Sequence, residues 1–193
     1  MIRLRYGNTN TFFIRGSKGG LLLDTDYAGS LREFYRAIKQ NGIRVSDIDF
    51  VMATHYHPDH MGLVSELTEQ GVRLLLIDEQ RDRVHFSDGI FAKDGLEIRP
   101  IDIGSAKVIC CGESRDLLSS LGISGEIIHT PSHSPDSVSL VLDDGDFFVG
   151  DLEPPEYIEA YEDNAALKAD WERILSLGPK RVFFSHRPER SFR

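Results

Sequence analysis

Three of the chain's seven histidines fall within six consecutive residues, His55-Tyr56-His57-Pro58-Asp59-His60, and no other stretch constrains the fold as tightly. Neutral imidazole offers a lone pair near pH 7 and is the commonest metal ligand, and zinc accepts both imidazole nitrogen and carboxylate oxygen. The run follows Phe50-Val51-Met52-Ala53-Thr54, an apolar stretch that reads as a buried strand. Strand residues two apart share a face, which directs His55 and His57 toward one ion. Pro58 suits the first turn of a helix that continues through Met61, Val64, Ser65 and Leu67 to a stop at Gly71. Asp59 and His60 then stand at the helix start, displaced from the first pair and free to serve a second ion.

Around this run the chain alternates strand and helix patterns. Leu31, Phe34, Tyr35 and Ile38 recur at helical spacing behind Ser30-Leu31-Arg32-Glu33, which has the form of a capping box, and Asn41-Gly42 closes that helix. Buried strands are expected at 72–77, 96–103 and 106–110, and a short helix at 114–121 before Gly122. Further strands are expected at 125–129, 137–142 and 147–149, with Asp143-Asp144-Gly145 as the turn between the last two. Leu167, Trp171, Ile174 and Leu175 mark a final amphipathic helix closed by Gly178-Pro179, ahead of a strand at 181–184.

A chain of 193 residues is long enough to bury a substantial core and is read as one domain over 1–193. A formal charge of −9 with no basic run argues against nucleic-acid partners, whose affinity rests on Lys and Arg neutralising phosphates. No apolar run reaches the ~18 residues of a membrane span, and Met1-Ile2-Arg3-Leu4-Arg5 lacks a signal-peptide core, so a cytoplasmic location and no membrane partner are expected. Cys110 and Cys111 are adjacent, and neighbouring cysteines do not form an ordinary structural bridge, which fits reduced thiols. His85 and His129 fall outside the cluster and read as structural.

Four more segments complete a pattern. They are His129-Thr130-Pro131-Ser132-His133-Ser134, Val149-Gly150-Asp151, Phe183-Phe184-Ser185-His186, and Asn10-Thr11-Phe12 with Leu21-Leu22-Leu23-Asp24-Thr25. Together with the His55 to His60 run they resemble the metallo-β-lactamase superfamily, from residue 10 to residue 186. The resemblance implies an αββα sandwich, two facing sheets with helices outside. It implies that His55, His57 and His133 bind a first ion, that Asp59, His60 and His186 bind a second, and that Asp151 bridges them. It further implies a shared water that becomes a hydroxide nucleophile toward an ester, thioester, lactone or phosphoester of a small molecule, with Asp59 orienting it and relaying a proton. Zinc fits this donor set best, while iron and manganese accept the same donors. Asp24 reads as a carboxylate supporting the histidines from behind. Tyr56, and the stretch from Glu153 through Tyr157 to Tyr161 and Asp163, stand as candidate substrate walls.

The sequence departs from the family pattern where glycine is usual: Asp26, Ser132, Asp136 and Ser185 occupy such places. It resembles the catalytic domain of glyoxalase II, but with seven residues after His186 that enzyme's helical glutathione-binding domain is not expected. Flavodiiron reductases carry a Glu in the first motif that this chain lacks. A persulfide dioxygenase, with one iron held by two histidines and an aspartate on the same fold, is the alternative enzyme. A noncatalytic metal-binding module is a more remote reading, because all seven ligand positions are kept. Pairing into a homodimer is one way for so short a chain to cover exposed surface.

Overall fold

The computed structural model describes residues 1–160 and 164–192. Its first sheet takes strands in chain order, β1 (Ile2–Leu4), β2 (Thr11–Arg15), β3 (Gly20–Leu23), β4 (Phe50–Met52), β5 (Arg73–Ile77) and β6 (Lys107–Ile109). The strands β1 to β3 pair antiparallel and β3 to β6 run parallel. The second sheet holds β7 (Gly125–His129), β8 (Val138–Leu142), β9 (Asp146–Phe148), β10 (Arg181–Phe183) and β11 (Arg190–Ser191), in the order β11-β10-β9-β8-β7.

The strands are apolar on both faces because both faces are covered. In β3, Leu21 and Leu23 join Phe12, Phe50, Met52, Leu75, Leu140, Phe148 and Phe183 in the core between the sheets, while Leu22 points the other way. There it meets Phe34, Ala37 and Ile38 of α1 (Leu31–Gln40) and Leu67 of the helix Val64–Glu69. The second sheet repeats this arrangement: Val141, Phe147 and Val182 turn outward onto Leu167, Trp171 and Ile174 of the helix Ala165–Ser176. Three apolar clusters therefore lie between four layers, helix, sheet, sheet and helix, as the period-2 alternation of doubly covered strands requires.

Three local expectations fail. Residues 96–103 form no strand: Leu96, Ile98 and Ile101 still pack on the first core cluster, but Pro100 removes a ladder donor and β6 already occupies the place beside β5. The Ser30 hydroxyl donates to the Tyr27 carbonyl (2.6 Å) and makes no cap, so the capping box does not form although the helix does. The helix after Pro58 is two helices, Pro58–Met61 and Val64–Glu69.

That break has a steric cause. The Gly62 N–H donates to the Asp26 carbonyl (3.0 Å), and a Cβ on Gly62 would lie 2.2 Å from the Ala28 nitrogen. Backbone meets backbone, so nothing soft can yield. Gly62→Ala is expected to destabilise the fold by about 1–3 kcal/mol, read as a lower denaturant midpoint at unchanged slope. A change under about 0.5 kcal/mol would show this approach to be compliant.

Candidate metal centre

All seven predicted ligands gather at one edge of the sandwich. The loop after β4 carries His55 and His57, and the Pro58–Met61 helix carries Asp59 and His60. The β7–β8 loop brings His133, while Asp151 and His186 follow the ends of β9 and β10. The strand β4 ends at Met52, so His55 and His57 converge from a loop and not, as expected, from one strand face. Backbone bonds lock the two sheets together beneath them. Val138 N–H donates to the Thr54 carbonyl (2.8 Å) and Asn10 N–H to the Ser185 carbonyl (2.7 Å), while Ser185 N–H, bonded to the Gly150 carbonyl (2.9 Å), ties the ends of β9 and β10 within the second sheet.

The donor atoms fall into two triads and a link. His55, His57 and His133 form one group and Asp59, His60 and His186 another, while Asp151 joins His55 and His60 in a third, each group's donor atoms lying within 4.8 Å of one another. His55 Nε2 and His57 Nδ1 are 3.0 Å apart, and His57 Nδ1 and His133 Nε2 3.2 Å. In the other triad His186 Nε2 lies 3.3 Å from His60 Nε2 and 3.1 Å from Asp59 Oδ2. Asp151 reaches both sets, with Oδ2 3.3 Å from His60 Nε2 and 3.8 Å from His133 Nε2, and Oδ1 3.3 Å from His186 Nε2.

The donor chemistry fits a metal. His55 Nδ1 lies 3.1 Å from the Thr54 hydroxyl, His60 Nδ1 3.0 Å from Asp24 Oδ2, and His186 Nδ1 3.2 Å from the Asn8 carbonyl. With these outer nitrogens donating, the inner ones are left with lone pairs aimed at one another. Separations near 3 Å between such lone pairs are the edges of a coordination shell, since tetrahedral ligands at 2.0–2.1 Å stand about 3.3 Å apart. The Asp151 Oδ1 atom is buried and has no hydrogen-bond partner among the described residues, an orphan that a cation would satisfy.

Electrostatics point the same way. Burial holds His55 well below the usual imidazole range, reinforced by the imidazoles around it, and burial also lowers His133. Both are therefore in the neutral, ligating form. At His60 burial opposes charge, but Asp24 and Asp151 outweigh it and raise the pKa to about 10. At Asp59 burial is likewise outweighed, by His186 and His60, and its carboxyl sits at about 2. Metal binding replaces such protons, because ligands must be deprotonated.

The residues behind the ligands explain the missing glycines. Asp24 (φ 59°) is buried and accepts from Thr54 N–H (2.7 Å), the Thr54 hydroxyl (3.0 Å), His60 Nδ1 (3.0 Å) and the Ser185 hydroxyl (3.1 Å). Ser185 thus supplies a bond that glycine lacks. Asp26 holds φ 72° and accepts from Thr9 N–H (3.1 Å) and Tyr27 N–H (2.6 Å). Asp136 accepts from Tyr56 N–H (2.7 Å) and the Ser134 hydroxyl (2.7 Å), and Ser132 N–H donates to Asp170 (2.8 Å).

Other expectations divide. Tyr56 is fully buried in the first core cluster, so it is a packing residue and no substrate wall. Glu153 does line the pocket over the cluster, with His133, Asp151, Leu152, His186 and Arg187. Tyr157 does not line that pocket; its ring lies under the Arg187 guanidinium, 5.4 Å away. Tyr161, Glu162 and Asp163 lie outside the described residues. His85 pairs with Asp88 (3.0 Å) and His129 Nε2 donates to the Pro135 carbonyl (2.7 Å), both structural. Sequence reasoning missed Thr54, read only as strand, and Arg187; their positions immediately before His55 and after His186 were the available signal.

Comparison with known proteins places the geometry in a family. The chain belongs to the metallo-beta-lactamase superfamily, whose family model matches residues 4–186. It is 28% identical over 184 residues to a beta-lactamase-like protein 2 homolog of Drosophila melanogaster, covering 92% of this chain and 58% of that protein. A probable metallo-hydrolase of Methanocaldococcus jannaschii is 29% identical over 143 residues, covering 72% of this chain and 65% of its own length. The chain thus spans less than two thirds of either relative. Among solved structures, TTHA1623 in a di-iron-bound form superposes with a TM-score of 0.76 at 24% identity, over 99% of this chain and 94% of that one. The fold and family are those of metal-binding proteins of the metallo-hydrolase type. Among the described residues no helix is long and apolar enough to cross a membrane.

Proposed function

We propose that the chain is a hydrolase of small molecules that works with two divalent ions and cleaves an ester, thioester, lactone or phosphoester bond. The observation that carries this reading is the joining of two complete donor triads by one carboxylate, Asp151. His55, His57 and His133 would hold one ion, Asp59, His60 and His186 the other, with Asp151 shared. Ions held there would lower the pKa of bound water toward neutrality and polarise the oxygen of the bond to be cleaved. Zinc suits five imidazoles and two carboxylates best; iron and manganese take the same donors.

The protein's own groups do the rest. Asp59 is only partly buried and its carboxylate stays ionised, so it accepts a hydrogen bond from the nucleophile and passes the proton outward rather than keeping it. The Asp24 and Thr54 pair fixes His55 and His60 from behind, which keeps the ligands from reorienting during turnover. Leu152 and Phe184 give the pocket apolar walls. The acidic chain, at −9, supports a small-molecule substrate over nucleic acid. Unpaired Cys110 and Cys111, the latter's thiol pushed up to about 12 by burial and Glu79, support a cytoplasmic location.

Elemental analysis of protein purified without added metal, followed by a panel of esters, thioesters, lactones and phosphodiesters, tests the reading. About two ions per chain and turnover of one class are expected. Asp59→Ala is expected to cut that turnover by about 10²–10⁴. Unchanged hydrolysis with metal still bound would remove Asp59 from the mechanism. A single iron per chain with oxygen consumed alongside a persulfide would replace the hydrolase by a dioxygenase.

A further inference from the structure

The pocket over the metal cluster has a cationic lip that the reaction itself does not use. Arg187 follows His186 directly and lines that pocket beside His133, Asp151 and Glu153. Its guanidinium lies over the Tyr157 ring, 5.4 Å from the centroid, a cation–π contact that orients it without consuming its N–H donors. The backbone beneath is held too, since Asn10 Nδ2 donates to the Arg187 carbonyl (3.3 Å) and to the Phe184 carbonyl (2.9 Å).

The neighbouring arginines are engaged. Arg190 pairs with Glu156, Arg3 with Glu189 (2.8 Å) and Arg181 with Asp146 (2.5 Å). Arg187 makes no ion pair among the described residues. Among the residues that line this pocket Arg187 alone carries a guanidinium, so it is the group there with donors to offer an anion.

Resting on the hydrolase reading above, we infer that Arg187 determines specificity by receiving a carboxylate carried on the substrate, a short arm away from the bond cleaved. The planar fork of a guanidinium matches a carboxylate bidentately. Glu153 on the same rim repels negative charge, which confines the anion to the Arg187 side. It also favours a singly charged carboxylate over a doubly charged phosphate. The substrates of this site are then half-esters, acyl thioesters or lactones that bear a free carboxylate.

Succinate and butyrate test this without turnover. They are nearly the same size, each offers one carboxylate to the metal centre, and only succinate carries a second. Calorimetric titration of the zinc-loaded protein is expected to give succinate at least about tenfold tighter binding than butyrate, the strength of a charge-assisted hydrogen bond. Arg187→Ala is expected to erase that preference and leave butyrate unchanged, and Arg187→Lys to restore part of it. No preference in the native protein, or an equal loss for both acids in Arg187→Ala, would overturn the assignment. Because the readout is binding, a chain that hydrolysed no ester would fail the hydrolase reading and still show whether Arg187 selects the second carboxylate.

Discussion

Asp24→Ala is expected to cost the metal-free protein about 3–5 kcal/mol of stability, the range for breaking one side of a buried, hydrogen-bonded charge pair. Four donors lose their acceptor at once: the Thr54 N–H and hydroxyl, His60 Nδ1 and the Ser185 hydroxyl. Asp24 is 1% exposed, so no bulk water compensates them. The backbone adds to the cost, because φ is 59° there and an alanine in the left-handed region is disfavoured by about 1–2 kcal/mol. Asp24→Asn separates the two roles. Asparagine tolerates the dihedral and keeps one oxygen for Thr54 N–H, but its amide cannot accept from His60. It is expected to fold and to bind metal about 10–100-fold more weakly, the usual effect of removing a partner behind a ligating histidine. Urea unfolding and competition with a chromophoric chelator read the two quantities. If Asp24→Ala lost under about 1 kcal/mol and bound metal normally, Asp24 would not be the support of the centre.

That carboxylate also marks where the sequence could be read and where it could not. The His55 to His60 run was legible because its ligands are local, and a strand end, a proline at the first helical position and a histidine at its N-cap are local features. His133, Asp151 and His186 come from far along the chain. The motifs around them gave their identity, while their meeting point depends on cross-sheet bonds such as Val138 to Thr54 and Asn10 to Ser185. While β3 entered only through the family resemblance, the apolar pattern found β4, β5, β7 and both long helices. It misread residues 96–103, where apolar side chains pack without a ladder, and it missed the break at Gly62, which is imposed by the backbone of residues 26–28. Both failures concern contacts between distant segments, which no window along the chain contains.

The same distinction makes Asp151 the sharpest test of the centre. Among the described residues it is the carboxylate that touches both triads, reaching His60 and His133 with one oxygen and His186 with the other. His55, His57 and His133 remain a complete triad without it, as do Asp59, His60 and His186. Asp151→Ala is therefore expected to leave the chain folded, since His60 keeps Asp24 as its counter-charge at 3.0 Å. Each triad loses a shared ligand, and the weaker of the two is expected to empty, so that metal content falls from about two ions to about one per chain. Losing one Lewis acid removes several kcal/mol of transition-state stabilisation, a fall of roughly 10²–10⁴ in turnover. Elemental analysis, far-ultraviolet circular dichroism and kcat on one substrate separate the outcomes. Two ions retained with turnover within tenfold of the native protein would mean that the triads act independently and that Asp151 links them only in space. One ion with turnover undiminished would assign the chemistry to a single triad, and the second would then be structural.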